Sequence, residues 1–438
     1  MLFVENVNQV NWNQLSLERV FVFPILSDFK LHRCKNRISA VYIKSIDSQL
    51  EYVVGCYHGD LNKNGVNWIN DVNWSNRCIV YNSKYMDVKG IDADLINWMI
   101  TGDKLNAEYT STVSKYKHWY WDMKNVIDSV PIVSLVDYIR AIYNEFQSNL
   151  LNNSNEFRLQ LNSIKFYNDL ISDYKCIENG GININTKISS EFFNCSDEKL
   201  FTDYNTFTTT GRPSNAFGGI NFSALDKSNG VRSMIIPFEN SSLYEFDFDS
   251  YHIRLIADLI GYNLPKFNLH TYFGRMYFNT PSLTPEQYEE SKHITFKAFY
   301  GQSDYRHNGV EFFNKVSLYK NELIDIYNKD GFIELPISKR KIIKFIYGEL
   351  NLNKLFNYLI QAHETEVNGV IIRDLVNFLK DKKSKLILYT YDSFLFSIHN
   401  SEGWILEKLN EILLKFNVPV SLKTGNDYQN MKKVKSVI

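Results

Sequence analysis

Two runs of β-forming residues, LYEFDFDS at 243–250 and KLILYTYDSFLFSI at 385–398, each carry an aspartate among apolar and aromatic side chains, Asp247 and Asp392. A carboxylate inside such a run is costly to bury unless it is paired or bound to a metal ion, so any fold of this chain has to settle both charges. One solution sets the two strands side by side with the carboxylates sharing a divalent cation. Hard oxygen ligands favour Mg²⁺, which takes one or two carboxylates and completes its shell with water and phosphate oxygens. The other solution leaves each aspartate as a strand-end cap. Asp392 lies mid-run and argues harder for the first.

The rest of the chain can support such a site. Of its 438 residues, 44% are apolar, and at about 100 to 200 residues per domain this predicts two to three globular units. No apolar run reaches the roughly 18 residues of a membrane span, and no basic leader precedes an apolar segment at the start. The expectation is a soluble, cytoplasmic protein (host cytoplasm if the source is viral) with no membrane partner. Cys34, Cys56, Cys78, Cys176 and Cys195 form no C-x-x-C pair, which argues against a disulfide framework or a zinc site. A net charge of −1 does not announce a nucleic-acid partner, so local distribution has to carry that argument.

Residues 1–131 read as a small α/β unit, with β-rich runs at Arg19–Leu26, Ile38–Ile46, Tyr52–Tyr57 and Cys78–Tyr81 and a helix at Asp94–Ile100. Residues 132–209 form a helical connector. IVSLVDYIRAIYNEF and FRLQLNSIKFYNDLISDY place apolar residues at i, i+3, i+4 and i+7, IENGGININ (177–185) signals a turn, and the segment up to Thr210 holds no strong helix. From 210 to 438 strands and helices alternate. YHIRLIADLIGY continues from the first aspartate as a helix with Ile253, Ile256, Ala257 and Ile260 on one face.

Within 289–301, EESKHITFKAFYG spaces Lys292, Phe296 and Tyr300 at i, i+4 and i+8, a face that drifts slowly around a helix. An ammonium followed by two rings suits a nucleoside triphosphate, phosphate on the cation and base on a ring; spacing alone fits an amphipathic helix with core aromatics equally well. Arg212 lies in the turn-rich TTTGRPSNAFGGIN (208–221), where its fork can reach a nucleic-acid backbone or groove.

Taken in order, these blocks resemble the family A (Pol I-like) DNA polymerases, in a compact, phage-like form. TTTGRPS resembles the family's T-x-TGR-x-S block, and DFDSYHIR resembles its motif A, matched at Asp247 and Arg254. The fingers pattern R-x3-K-x3-F-x3-YG is met by Lys292, Phe296, Tyr300 and Gly301, N-x-P-I-Q by Asn357, Ile360 and Gln361, and HDE by Tyr391-Asp392-Ser393. The C-terminal PVSLKTGNDYQ resembles the family's closing segment. The resemblance covers roughly 177–438 and implies a mixed α/β (α+β) right-hand fold of palm and fingers. It also implies template-directed addition of dNTPs to a primer 3′ end by two-metal phosphoryl transfer. Asp247 and Asp392 would hold two Mg²⁺ ions, with Mn²⁺ as an alternative, and Lys292 would neutralise phosphate. His252, His270, Phe296 and Tyr300 would contact the nucleotide. Arg212, Asn221, Asn357 and Gln361 would line the primer–template, as would Arg254 unless it serves a structural pair.

Several positions depart from the family. His252 stands where motif A carries a glutamate that blocks a ribose 2′-hydroxyl, and Tyr288 replaces the fingers arginine, whose role Lys297 or Arg306 would have to take. Only a short segment separates IENGGININ from TGR, so the thumb is minimal. That predicts weak, distributive DNA binding unless a processivity factor or other replication subunit helps. Residues 1–131 stand where relatives carry a 3′-5′ exonuclease-like domain. Asn82, Tyr85 and Asp87 faintly resemble its second motif and Val133–Asp137 its third, while FPILSDF lacks D-x-E, so no proofreading is expected. Two alternatives stay open, a single-subunit RNA polymerase-like enzyme and a catalytically silent primer–template-binding subunit. Basic clusters at Lys339, Arg340, Lys341 and Lys344 and at Lys380, Lys382, Lys383 and Lys385 are phosphate-contact candidates or solvated loops.

Overall fold

A computed structural model describes residues 1–28, 30–72, 74, 77–105, 125–301 and 309–434, and the chain divides into two compact units, Met1–Lys175 and Cys176–Ile438. Arg306 lies outside the described residues.

The first unit is built on a six-stranded mixed sheet. Its strands are β1 (Leu2–Val4), β2 (Val20–Leu26), β3 (Ile38–Ser45), β4 (Glu51–Gly55), β5 (Cys78–Val80) and β6 (Ile91–Asp92), in the order β1–β4–β3–β2–β5–β6. In β2 every residue from Val20 to Ile25 is buried, as a continuous apolar run requires when both faces of its sheet are covered. Phe21, Phe23 and Ile25 face a helix, α2 (Ile132–Asn152), through Leu135, Val136, Ile139, Ile142 and Phe146. Each such side chain contributes roughly 1.5–3 kcal/mol on burial. Val20 and Val22 point the other way, toward Leu15 and Trp68. Between strand and helix, α1 (Ala93–Thr101) is capped by Asp92, whose carboxylate accepts from the Leu95 and Ser83 amides.

Helix α3 (Ser154–Gly180) runs through residues that read as a turn in the sequence. The reversal falls one residue later, at Gly181 (φ 65°), where a Cβ would lie 2.5 Å from Lys199 Cε. A short helix, Thr186–Phe193, then interrupts the stretch expected to hold none; the Asn185 side chain caps it by accepting from the Lys187 and Ile188 amides.

The second unit is centred on a five-stranded antiparallel sheet of β7 (Ser241–Phe248), β8 (Lys385–Thr390), β9 (Ser393–His399), β10 (Val420–Gly425) and β11 (Lys432–Lys433), in the order β8–β9–β7–β10–β11. The run 385–398 is therefore a hairpin and not one strand. Its helices include α4 (Tyr251–Leu259), α5 (Leu269–Tyr277), α6 (Pro285–Tyr300), α7 (Glu311–Asp330) and α8 (Leu352–Leu379), and α8 packs against α4, α7 and β8. The middle of α8, from Ala362 to Gly369, is buried all round. Helix α6 starts on a Thr284–Gln287 capping box with Pro285 at its first position, and stops at Gly301 (φ 93°), where a Cβ would collide with Asn353. Among the described residues no helix is long and apolar enough to cross a membrane.

Candidate active site

Register brings the two aspartates together. Asp247 on β7 pairs with Ser393 on β9, the residue after Asp392, and the Phe248 amide donates to the Asp392 carbonyl at 2.8 Å. Thr390 pairs with Ser393, so Tyr391 and Asp392 form a two-residue turn in which Tyr391 takes a left-handed conformation (φ 62°). Such a backbone is uncommon for a bulky residue and persists where its surroundings enforce it. Asn368 supplies part of that enforcement: its Nδ2 donates to the Tyr391 carbonyl and to the Tyr389 hydroxyl, both at 2.8 Å, while its Oδ1 accepts from the Tyr251 hydroxyl at 2.7 Å. The Tyr204 hydroxyl accepts from the Tyr389 amide at 2.8 Å and donates to its carbonyl at 3.2 Å.

Asp392 is exposed at the turn and not buried within the apolar run as the sequence pattern suggested; partial desolvation by its neighbours and the charge of Asp247 both push its carboxyl up from its ordinary value. Like charges at close range are a state that a bound cation relieves. Among the described residues no three or more His, Cys, Asp or Glu side chains cluster as a cation site. A pair of carboxylates is nonetheless the donor set that suits Mg²⁺ completed by water and phosphate. Beside Asp247 a cleft of about 380 Å³ is also lined by Asp249, Asn268, Ser421 and Lys433.

Asp247 already has a cation beside it. Lys423 on β10 faces Glu245 across the sheet and places its Nζ 2.7 Å from Glu245 Oε2 and 3.0 Å from Asp247 Oδ2. Burial alone would lower the Lys423 ammonium, but the two carboxylates hold it above its ordinary value. Glu245 is 6% exposed, and its Oε1 accepts from the Ser393 hydroxyl at 3.0 Å and the Tyr428 hydroxyl at 3.1 Å.

A second buried carboxylate organises the wall behind the turn. Glu364 on α8, with 1% of its side chain exposed, lies 2.7 Å from Arg212 Nε and 3.2 Å from His252 Nε2. The Arg212 guanidinium covers the Tyr391 ring at 3.7 Å. The other nitrogen of His252, Nδ1, is 2.7 Å from the Tyr300 hydroxyl, while the buried Nε2 makes no hydrogen bond in the described structure. Tyr300 stacks over Phe296 with ring centres 6.4 Å apart and planes 8° from parallel, and Phe296 packs 5.7 Å from His270.

Lys292, Phe296 and Tyr300 thus share one face of α6, with Phe296 about half exposed. Lys292 pairs with the exposed Glu289 at 2.8 Å and lies over the Tyr288 ring. His270 is 9% exposed, its buried Nδ1 makes no hydrogen bond in the described structure, and burial lowers its pKa. The buried Oδ1 of Asn357 is likewise without a partner. Gln361 accepts from the Thr210 hydroxyl at 3.2 Å, and Asn221 is exposed at the end of a short strand, Ile220–Asn221. Arg254 takes the structural arrangement: it is 8% exposed, pairs with Asp249 at 3.1 Å, and donates to the carbonyls of Asp249, Pro265 and Phe267. Within the 339–344 cluster Arg340 is turned inward, whereas Lys339 is exposed. Arg340 is 1% exposed and donates to Thr210 and Tyr347, while Lys341 and Lys344 pair with Glu334 and Glu349.

Sequence reasoning missed Glu245, Glu364, Asn368 and Lys423. Glu245 had a signal, since it lies two residues from Asp247 and shares its strand face. The others become visible only once the sheet and α8 are assembled.

No protein-family model matches the chain. DNA polymerase I of Caldicellulosiruptor bescii is 23% identical over 280 residues, which cover 55% of this chain and 33% of that protein, so the chain spans about a third of that relative's length. Among solved structures, the POL domain of Pol1 from M. smegmatis, in complex with DNA primer-template and dNTP, superposes with a TM-score of 0.67 at 14% identity, covering 97% of this chain and 99% of that one. The chain is thus similar in fold to that POL domain and similar in sequence, over part of its length, to a DNA polymerase I.

Proposed function

We propose that the chain is a template-directed DNA polymerase that adds dNTPs to a primer 3′ end, with Asp247 and Asp392 as ligands of two divalent ions, Mg²⁺ or Mn²⁺. The observation that supports this reading is the β7–β9 register, which sets Asp247 opposite Ser393, beside Asp392, so that the charge of Asp247 is felt at the Asp392 carboxyl. When bound, the ions supply charge neutralisation at the triphosphate and activation of the primer hydroxyl. The chain supplies the rest. Lys292 meets phosphate oxygens, His270 serves as a second phosphate contact, and Phe296 and Tyr300 receive the base, with His252 beside the sugar. Arg212, Asn221, Asn357 and Gln361 contact primer–template, and Arg254 acts by holding the backbone at 249 and 265–267.

Primer extension by purified protein, dependent on Mg²⁺ and abolished in Asp392→Asn while DNA binding persists, tests this function. Absence of extension with intact DNA binding in the native chain would favour a silent primer–template-binding subunit, a reading that draws on the Lys423–Asp247 ion pair. His252 in place of the motif A glutamate keeps an RNA polymerase-like activity in view, and comparison of dNTP with rNTP incorporation decides it.

Two further features belong to the proposal. The short segment between α3 and Arg212 gives little with which to grip a duplex, so synthesis is distributive unless a processivity factor assists. Residues 1–131, within the first unit, form a degenerate exonuclease-like domain. Its Asp87 has 85% of its side chain exposed and is held by Lys175 at 2.6 Å, and release of nucleotides from a mismatched 3′ end, lost in Asp87→Ala, would overturn the inactive reading.

A further inference from the structure

The Glu245–Lys423–Asp247 arrangement holds more than an ion pair needs. Lys423 touches two carboxylates, and they differ in how they are held. Glu245 is nearly sealed from solvent and fixed through Oε1 by the Ser393 and Tyr428 hydroxyls, leaving Oε2 for the ammonium. Asp247 has 32% of its side chain exposed and opens on the cleft. A divalent ion seated on Asp247 Oδ2, at the roughly 2.1 Å of a Mg²⁺–oxygen bond, would meet an ammonium 3.0 Å from the same oxygen.

We propose that Lys423 is a resident competitor for the cation position at Asp247, and that a divalent ion binds there by displacing the ammonium onto Glu245 alone. The inference rests on the reading of Asp247 and Asp392 as the metal-binding pair. Lys423 gives up one carboxylate and keeps the other, so the displacement leaves no buried charge without a partner. The ammonium lets two acids stand close together before metal arrives and holds down the metal affinity of the empty protein. Phosphate oxygens of the incoming nucleotide then have to complete the binding.

The test is Mn²⁺ binding to the full chain, followed by electron paramagnetic resonance without DNA or nucleotide. Lys423→Met should bind Mn²⁺ more tightly by on the order of tenfold, the effect of removing a like charge at ion-pair range. Lys423→Arg should stay near the native value. The double variant Lys423→Met/Glu245→Gln removes one charge of each sign, so tighter binding there reports the vacated Asp247 oxygen and not net charge. The double variant also serves if Lys423→Met alone fails to fold, because it leaves no unpaired buried carboxylate. Binding by the double variant no tighter than native overturns the proposal. Asp392→Asn separates the two levels. If it weakens Mn²⁺ binding and the double variant does not strengthen it, only the role of Lys423 falls; if it leaves binding intact, the metal-pair reading falls and this inference with it.

Discussion

The Tyr300 hydroxyl and His252 Nδ1 lie 2.7 Å apart, and this contact ties the helix bearing the proposed nucleotide platform to the helix that follows Asp247. Glu364 lies 3.2 Å from its other nitrogen, and only 15% of the His252 side chain is exposed, so the Tyr300 contact and burial hold the ring in place. Shortening His252 to Ala removes a fixed wall beside the proposed sugar position. We expect preference for dNTP over rNTP to fall by roughly 10- to 100-fold in kcat/KM, with dNTP turnover changed less than that ratio. An unchanged ratio would place sugar selection elsewhere.

Lys292 offers a cleaner separation of stability from function. Its partner Glu289 is exposed, and exposed pairs of this kind contribute about 0–1 kcal/mol, so the ammonium can exchange a carboxylate for a phosphate at little cost. Lys292→Met should leave the melting temperature nearly unchanged and lower kcat/KM for dNTP by about 10²-fold or more, the range for loss of one positioned charge-stabilising donor. Glu289→Gln should cost neither. A comparable loss in both variants would mean that the pair matters structurally.

Asn368 supplies three of the hydrogen bonds around the Tyr391–Asp392 turn. Replacing it by Ala removes one hydrogen bond each from the Tyr251 and Tyr389 hydroxyls and the Tyr391 carbonyl, at about 0.5–1.5 kcal/mol per bond. Urea denaturation should show a loss of roughly 2–5 kcal/mol. Extension should fall further than unfolding explains, even where the variant is fully folded, because Asp392 is no longer held against β7. Full extension by a destabilised but folded variant would show that the turn holds without Asn368.

The two aspartates, the α6 face and the amphipathic helices were legible because each is written in local spacing: an acid in an apolar run, residues four apart, an i, i+3, i+4, i+7 stripe. The hairpin at 385–398 was not, since Tyr391-Asp392 lacks the Gly or Asn that usually marks a left-handed turn position, and tertiary hydrogen bonds from Asn368 impose it instead. The cluster at 339–344 looked like a basic surface, yet Arg340 is spent inside the fold on Thr210 and Tyr347. Glu364 and Lys423 carry no local mark. Their roles arise from partners more than a hundred residues away in the chain.

His363, one residue before Glu364, sets an acid limit on the fold. It is 5% exposed within α8, its Nδ1 has no hydrogen-bond partner in the described structure, and burial lowers its pKa from 6.5 to about 4. In the unfolded chain the same ring takes up a proton near pH 6.5. Between about pH 4 and 6.5 the unfolded state therefore binds more protons, and stability rises with pH. The contribution is fully present above pH 6.5 and is lost as pH falls toward 4, by about 2 kcal/mol between pH 7 and pH 5. His58 and His270 are lowered by burial as well and act with the same sign, so His363→Leu should remove part of the acid sensitivity. Unfolding free energies of native and variant chains, measured at both pH values, should differ in their pH dependence by that amount. Parallel dependences would mean that His363 is protonated, or reaches solvent, in the folded protein.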